Sequence, residues 1–348
     1  MVDDRHSAGT VVIRSGVSGL VAATVALGGL AVRYALRKAR VDSEAVTHVE
    51  GQLKDLGEVE SLRILPLVER LVTGPGLRGE PGVSLLLITD DTTLLFDCGL
   101  ARGRGEAPLG TNAAALGVSA KDCDAVVISH LHPDHVGGIA AQVRHTFAVP
   151  ESLLLPRSIP AFVPTAMRHP SAEMVLVSRP QVVAPGVAVL PPLSRMLFWL
   201  GPVAEQALVV NVRGFGLVLV TGCGHPRIES TLAAIEQALD VPVRGVVGGL
   251  HLPVHPAGTA LLPQAILGNP NWPWVPIGET DAREAMAAIG AVGPRLIALS
   301  GHDSTPWTYD AFQAAFGDRY RTLRVGEPVE ISAASSFSGR SSPAALPG

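Results

Sequence analysis

From Leu62 onward the chain is a series of short apolar runs separated by glycine, proline and acidic residues. Leu62–Val68 predicts a first strand. Val83–Ile88 and Thr92–Gly99, joined by the polar turn Thr89-Asp90-Asp91, predict a hairpin. Ala207–Val212 and Leu217–Thr221, on either side of Arg213-Gly214, predict another. Ala125–Ile128, Val243–Leu252 and Arg295–Leu299 have the length of buried strands, and Met174–Val177, Val187–Leu190 and Tyr320–Val329 are also strand-like. Asn112–Gly117, Ile139–His145, Thr231–Leu239, Ala282–Ile289 and Asp310–Phe316 read as helices. Strands interleaved with helices point to a layered α/β domain. The proline-rich stretch 150–202 gives few clear elements. Residues 257–278 read as an apolar loop, in which Trp272 and Trp274 are packing residues or part of a lid.

The N-terminus departs from this pattern. No charge occurs from Ser15 to Val32, and Arg33, Arg37, Lys38 and Arg40 follow. The run sits near the short end of the roughly 17–25 residues that span a bilayer. The cationic flank would keep the following domain cytoplasmic. A cleaved signal peptide competes with this reading, as does a helix packed on the domain, for which the four glycines in the run speak. The expected organisation is an apolar, membrane-anchoring helix over 1–34, a connector over 35–61, a globular domain over 62–330 and a disordered tail over 331–348.

Composition narrows the picture. Of the 348 residues 47% are apolar and 17% charged, enough for a large core and against wholesale disorder. A formal net charge of −4 gives no basic footprint, so a small-molecule substrate is expected and nucleic acid is not. The three cysteines, Cys98, Cys123 and Cys223, cannot all pair, which suits a reduced compartment. The pattern carries no information on oligomeric state.

The densest chemistry lies in Ser129–Gly138, where His130, His132, Asp134 and His135 follow an apolar strand directly. Imidazoles and a carboxylate this close resist burial unless a shared cation takes their lone pairs, and zinc favours these donors. An apolar strand, a glycine, then histidine or cysteine recurs at Cys223 and His225, at His251 and at His302. Strand ends of an α/β layer gather along one edge, so these distant residues can converge.

The motif H-x-H-x-D-H at His130, His132, Asp134 and His135 resembles the signature of the metallo-β-lactamase-fold superfamily. Phe96-Asp97-Cys98-Gly99, Thr221-Gly222-Cys223 and the terminal strand before His302 support the likeness from about Leu62 to Val329. Within it, Gly82-Val83-Ser84, Asn112-Ala113, Gly222-Cys223-x-His225 and Gly249-Leu250-His251-Leu252 are similar to the dihydropterin ribofuranosyl-aminobenzene phosphate synthase branch.

The resemblance implies a four-layer αββα sandwich, two mixed sheets face to face with helices outside and metals at one edge. It implies His130 and His132 on a first metal, and Asp134, His135 and His302 on a second. His225 is taken as the third ligand of the first metal, with His145 and His169 as alternatives. Cys223 stands where relatives place a bridging aspartate or a metal-binding cysteine. Asp97 would hold a ligand loop. Two Zn²⁺ ions are implied, with iron or manganese as substitutes; at roughly 3.5–4 Å apart they would share a water and lower its pKa to yield hydroxide. Asp134 would orient that hydroxide, and His251 would contact substrate or protonate the leaving group, its bland alternative being a hydrogen-bonded structural histidine.

His48 and His255 are read as ordinary polar residues, and Cys98 and Cys123 as buried hydrophobes. Val68-Glu69 replaces the branch's Asp-Asn pair and Asp303-Ser304 follows His302, so the pterin substrate does not transfer. The function implied is a metal-dependent hydrolase of a small ester, lactone or phosphoester. The alternatives are an iron-dependent redox or transfer enzyme, a pterin-related synthase, and a non-catalytic membrane-tethered binding module.

Overall fold

Each long apolar run divides its side chains between two cores, as the two-residue period of a strand requires. In Ser84–Thr89, Leu85 and Leu87 enter one cluster and Leu86 another. In Gly216–Thr221, Val218 and Val220 enter the first, while Leu217 and Leu219 face a third. Two sheets packed face to face, each with helices on its outer side, satisfy all three clusters at once. The computed structural model describes residues 28–29, 31–43, 51–101, 105–256 and 261–333, and has this architecture.

The strands are β1 (Ser61–Val68), β2 (Ser84–Thr89), β3 (Thr93–Phe96), β4 (Ala125–Val127), β5 (Ile159–Val163), β6 (Ala172–Leu176), β7 (Gln181–Ala184) and β8 (Val187–Val189). They continue as β9 (Leu193–Leu197), β10 (Gly201–Glu205), β11 (Leu208–Val212), β12 (Gly216–Thr221), β13 (Val243–Gly248), β14 (Leu296–Leu299), β15 (Tyr320–Thr322) and β16 (Val329–Ser332). The helices that follow β1 are α1 (Pro108–Ala115), α2 (Ile139–Val143), α3 (Ile228–Ala238), α4 (Leu262–Leu267), α5 (Glu279–Ala291) and α6 (Pro306–Phe316).

One seven-stranded sheet runs β16-β1-β2-β3-β4-β5-β6 and the other β15-β14-β13-β12-β11-β8-β7. Both are mixed: β3 to β6 pair in parallel in the first, and β12 to β15 in the second. Parallel neighbours share a direction within each sheet, and the loops after β4, β12 and β14 bring side-chain atoms within 4.8 Å of one another, so both sets of strands open onto the same edge. That edge carries every motif loop.

Three expectations change. The predicted terminal strand Tyr320–Val329 is two strands in different sheets: β15 pairs with β14, and β16 pairs antiparallel with β1. Gly326, at φ 82°, and Pro328 interrupt the ladder between them and let the chain cross over. The stretch 150–202 contains five strands and the start of a sixth, including a separate β9-β10 hairpin, all too short or too interrupted by proline for their alternation to stand out. The apolar loop 257–278 contains α4, whose Pro263 sits in the first turn where its missing N–H costs nothing.

Among the described residues no helix is long and apolar enough to cross a membrane. Most of the uncharged run 15–32 (15–27 and 30), His48 and the tail 334–348 lie outside them. A helix over 31–43 crosses the expected boundary at residue 34 and packs on the domain. Its Tyr34 hydroxyl donates to the Pro270 carbonyl at 2.9 Å and its ring meets Phe198 and Trp272 edge-on. Further along the stretch read as connector, Leu53 N–H donates to the Ala238 carbonyl and Leu56 is buried.

Candidate metal centre

The loop after β4 carries His130 to His135, and its geometry begins with Asp97 at the end of β3. Asp97 sits at φ 58°, a conformation that disfavours side chains with a Cβ, and is fully buried. Its carboxylate accepts Ser129 N–H at 2.7 Å and Ser129 Oγ–H at 2.6 Å, and meets His135 Nδ1 at 2.7 Å. With Nδ1 so engaged, the lone pair of His135 Nε2 is directed away from Asp97, as metal-binding histidines require. Ser129 Oγ also lies 3.0 Å from His130 Nδ1, so one carboxylate orients two rings of the motif.

The other loops use the same device. Glu205, at the end of β10, accepts Cys223 and Gly224 N–H on Oε1 at 2.9 and 2.8 Å, and His225 N–H on Oε2 at 2.8 Å. Glu69, after β1, accepts Gly301 N–H at 3.0 Å and the Ser300 hydroxyl, whose oxygen is 2.6 Å from His302 Nδ1. Asp303 accepts the His251 N–H at 2.8 Å. The loops approach so closely here that only glycine fits: a Cβ on Gly222 would lie 2.2 Å from the Ser129 side-chain Oγ, and one on Gly249 2.3 Å from the Gly222 backbone carbonyl.

Seven donors converge in two groups. His130, His132 and His225 form the first, with His132 Nδ1 3.0 Å from His130 Nε2 and 3.3 Å from His225 Nε2. Asp134, His135, Cys223 and His302 form the second: Cys223 Sγ lies 3.1 Å from His135 Nε2 and 3.2 Å from His302 Nε2, and Asp134 Oδ2 lies 3.6 Å from His135 Nε2. A third grouping joins Cys223, His225 and His251. His145 and His169 stay outside all of these: His145 is exposed, and His169 stacks on Phe147 at 4.3 Å. His255 is exposed and meets Glu279 at 3.0 Å; Cys98 and Cys123 are buried free thiols.

Burial, then mutual repulsion, holds His130, His225 and His302 far below the usual imidazole range, and His132 down to about 3. Burial opposes charge on His135 too, but the Asp134 and Asp97 carboxylates outweigh it and raise the ring to about 9. Burial followed by surrounding acids pushes the Cys223 thiol well up, and burial raises Asp134 and Glu205. Four neutral imidazoles, with His135 the one ring that favours its protonated form, therefore face acids that are reluctant to ionise. A divalent cation would relieve both strains, since it takes imidazole lone pairs and stabilises carboxylate and thiolate. Nitrogen, oxygen and sulfur donors in groups of three and four fit zinc.

His251, 6% exposed and at φ 49°, lies beside the first group, its ring centroid 4.6 Å from that of His225. Neither ring nitrogen has a hydrogen-bond partner, the nearby Gln264 carbonyl falling short of bonding geometry. Burial lowers its pKa to about 4. His132, Asp134, Cys223, His225 and His251 share the floor of a cavity of about 470 Å³.

Sequence reasoning named the donors but missed Glu205, and met Glu69 and Asp303 only as departures from a motif. The one available signal for Glu205 was a charged residue within an apolar stretch that leads into a glycine-histidine loop.

Residues 77–153 match the family model described as the metallo-beta-lactamase superfamily. Ribonuclease TTHA0252 of Thermus thermophilus is 35% identical over 81 residues, 23% of this chain and 18% of that protein. Anti-Pycsar protein Apyc1 of a Paenibacillus species is 46% identical over 54 residues, 16% of this chain and 19% of that protein. The chain thus spans about a fifth of either relative's length. Among solved structures, Tm1679, a metal-dependent hydrolase of the β-lactamase superfamily, aligns over 78% of this chain and 99% of its own. The TM-score is 0.55 at 20% identity, a likeness of fold.

Proposed function

From a chain with the metallo-β-lactamase fold, whose segment 77–153 carries that superfamily's sequence signature, we propose a metal-dependent hydrolase of a small ester, lactone or phosphoester. The observation that supports it is the pair of donor groups meeting at the floor of one cavity. His130, His132 and His225 would hold one ion, and Asp134, His135, Cys223 and His302 the other, zinc in preference to iron or manganese. Divalent ions held there supply Lewis acidity and make a water molecule more acidic.

The chain's own residues do the rest. Asp134 reaches the cavity floor, where its carboxylate can orient a water and take its proton. His251 is neutral at neutral pH and its ring is free, so it can donate an N–H to the leaving oxygen, while Asp303 fixes its backbone. One water is consumed, the bond from the acyl or phosphoryl centre to the leaving oxygen breaks, and a proton ends on that oxygen.

A net charge of −4 and a cavity lining without lysine or arginine among the described residues favour a small molecule over RNA, the substrate in the Thermus relative's name. The uncharged run 15–32 and its basic flank support a tether that leaves the domain cytoplasmic; extraction by alkaline carbonate would count against it.

The test is elemental analysis of purified protein together with turnover of generic esters, lactones and phosphodiesters. Two bound ions per chain and activity lost in His130→Ala are expected. Protein without bound metal, unaffected by His130→Ala, would sink the proposal. His251→Ala removes a hydrogen-bond donor to the leaving oxygen and should lower kcat about 10²–10³-fold with metal content intact.

A further inference from the structure

The cavity's floor and walls differ in kind. Its floor is the donor set, whereas its walls include Leu100, Ile139, Leu200, Pro263 and Leu267. Three of these are large aliphatic side chains held in the open: Ile139 is 68% exposed, Leu200 45% and Leu267 43%. They come from three separate elements, α2, the β9-β10 turn and α4, so no single amphipathic segment accounts for them. The Phe198 N–H donates to the Asn269 carbonyl at 2.9 Å and ties two of these elements together. Trp199 and Ile266, next in sequence to lining residues, are exposed as well. Apolar surface gathered at the mouth of a polar site marks a place where apolar matter binds.

Charge points the same way. Among the described residues Asp134 is the one charged side chain in the lining outside the histidines, and a phosphate would meet no cation from the walls. A smaller cleft of about 50 Å³ lies on the other side of His225 and His251 and contains Arg195 and Arg227, but also Glu229 and Asp281. Arg227 is already spoken for, donating to Glu229 at 3.1 Å and to Glu284. That cleft has no net charge with which to recruit an anion. Arg102 and Arg104, close in sequence to Leu100, lie outside the described residues, so a phosphodiester belongs in the test.

We infer that the cavity takes the hydrocarbon chain of a carboxylic ester or lactone, the chain against Leu100, Ile139, Leu200, Pro263 and Leu267 and the carbonyl over the donor floor. This rests on the hydrolase reading and narrows it. Hydrolysis then adds water across the acyl C–O bond: the carbonyl carbon gains a hydroxyl, the ester oxygen leaves, and the proton lost by water ends on it. Each methylene moved from water into a closed apolar site is worth about fourfold in binding. In a cavity open at its mouth, about tenfold over four methylenes is the expected gain.

The experiment uses zinc-loaded full-length protein with p-nitrophenyl butanoate and octanoate below their aggregation limits, and bis-p-nitrophenyl phosphate beside them. We expect kcat/KM for octanoate to exceed that for butanoate about tenfold, and the ratio to fall toward one in Leu200→Asp and Leu267→Asp. Binding without turnover is read in the same protein from tryptophan emission, Trp199 lying next to Leu200: 1-decanol should bind and 1-butanol should not. Equal rates for the two esters, or a preference for the phosphodiester, would overturn the inference and leave the hydrolase reading standing. Absence of turnover on every substrate while 1-decanol binds wild type but not Leu267→Asp would do the reverse. Failure of 1-decanol to bind wild type overturns the inference whatever the turnover.

Discussion

The two donor groups lie side by side and differ in almost every electrostatic respect. The first is three imidazoles, which burial keeps neutral, so an ion there would be held by lone pairs and geometry alone. The second combines two imidazoles with Asp134 and Cys223, whose ionised forms could balance the charge of an ion. Their supports differ too. Glu69 reaches only the second group, through Ser300 and His302. Glu205 holds the 223–225 loop, which feeds Cys223 to the second group and His225 to the first. The first group thus depends on rigid placement and the second on charge, and the two should fail differently.

Removing charge should have the largest effect. Asp134→Ala takes away a donor and the group that orients water, and kcat/KM should fall about 10²–10⁴-fold, with bound metal dropping from two ions per chain toward one. His132→Ala should also remove one ion, but the first. Cobalt substitution separates the cases: a near-ultraviolet thiolate-to-cobalt band should survive in His132→Ala and vanish in Cys223→Ser. Loss of the band in both variants would mean that the groups are not separate sites.

A smaller effect comes from the supports. Glu205→Gln sets an amide where three backbone N–H groups now find a carboxylate, so at least one bond is lost beside a loop that serves both groups. Changes of this kind typically weaken metal affinity about 10–100-fold. Competition with a chelator should show both ions of Glu205→Gln released more easily, but only one in Glu69→Gln. Equal behaviour of the two variants would erase the distinction between a shared and a private support.

The sequence revealed the donors and, through the family resemblance, the support Asp97, but concealed Glu205 and Glu69, and the reason is physical. His130, His132, Asp134 and His135 fall within one loop, and Cys223, His225 and His302 each follow an apolar strand and a glycine, so the pattern marks them as candidates and the family resemblance assigns them as ligands. Glu205 acts on main-chain N–H groups, which every residue has, and Glu69 on the Gly301 N–H and the Ser300 hydroxyl, a side chain too common to mark a site. Glu205 also ends the β9-β10 hairpin, whose strands are partly exposed and pair only with each other, so no clean alternation announced it. The hairpins β2-β3 and β11-β12 are legible because polar or glycine-containing turns separate runs dominated by leucine, isoleucine and valine. The crossing at 323–328 was not, since apolar residues flank it on both sides and only the pairing partners of β15 and β16 distinguish it from one strand.

The smallest predicted effect tests where the first group's third donor lies. His169 could have served from the sequence, but in the fold its ring lies flat against Phe147, with centroids 4.3 Å apart and planes 4° from parallel. Its Nδ1 accepts the Ser171 N–H at 3.2 Å. A histidine so engaged contributes packing. His169→Ala should therefore cost about 0.5–1.5 kcal/mol in denaturant unfolding, the worth of a stacked aromatic pair, with metal content and turnover unchanged. His225→Ala should show the opposite pattern, a modest change in stability of the metal-free protein and loss of one ion. If His169→Ala lost metal instead, the first group would have to be redrawn around a residue that the fold keeps apart from it.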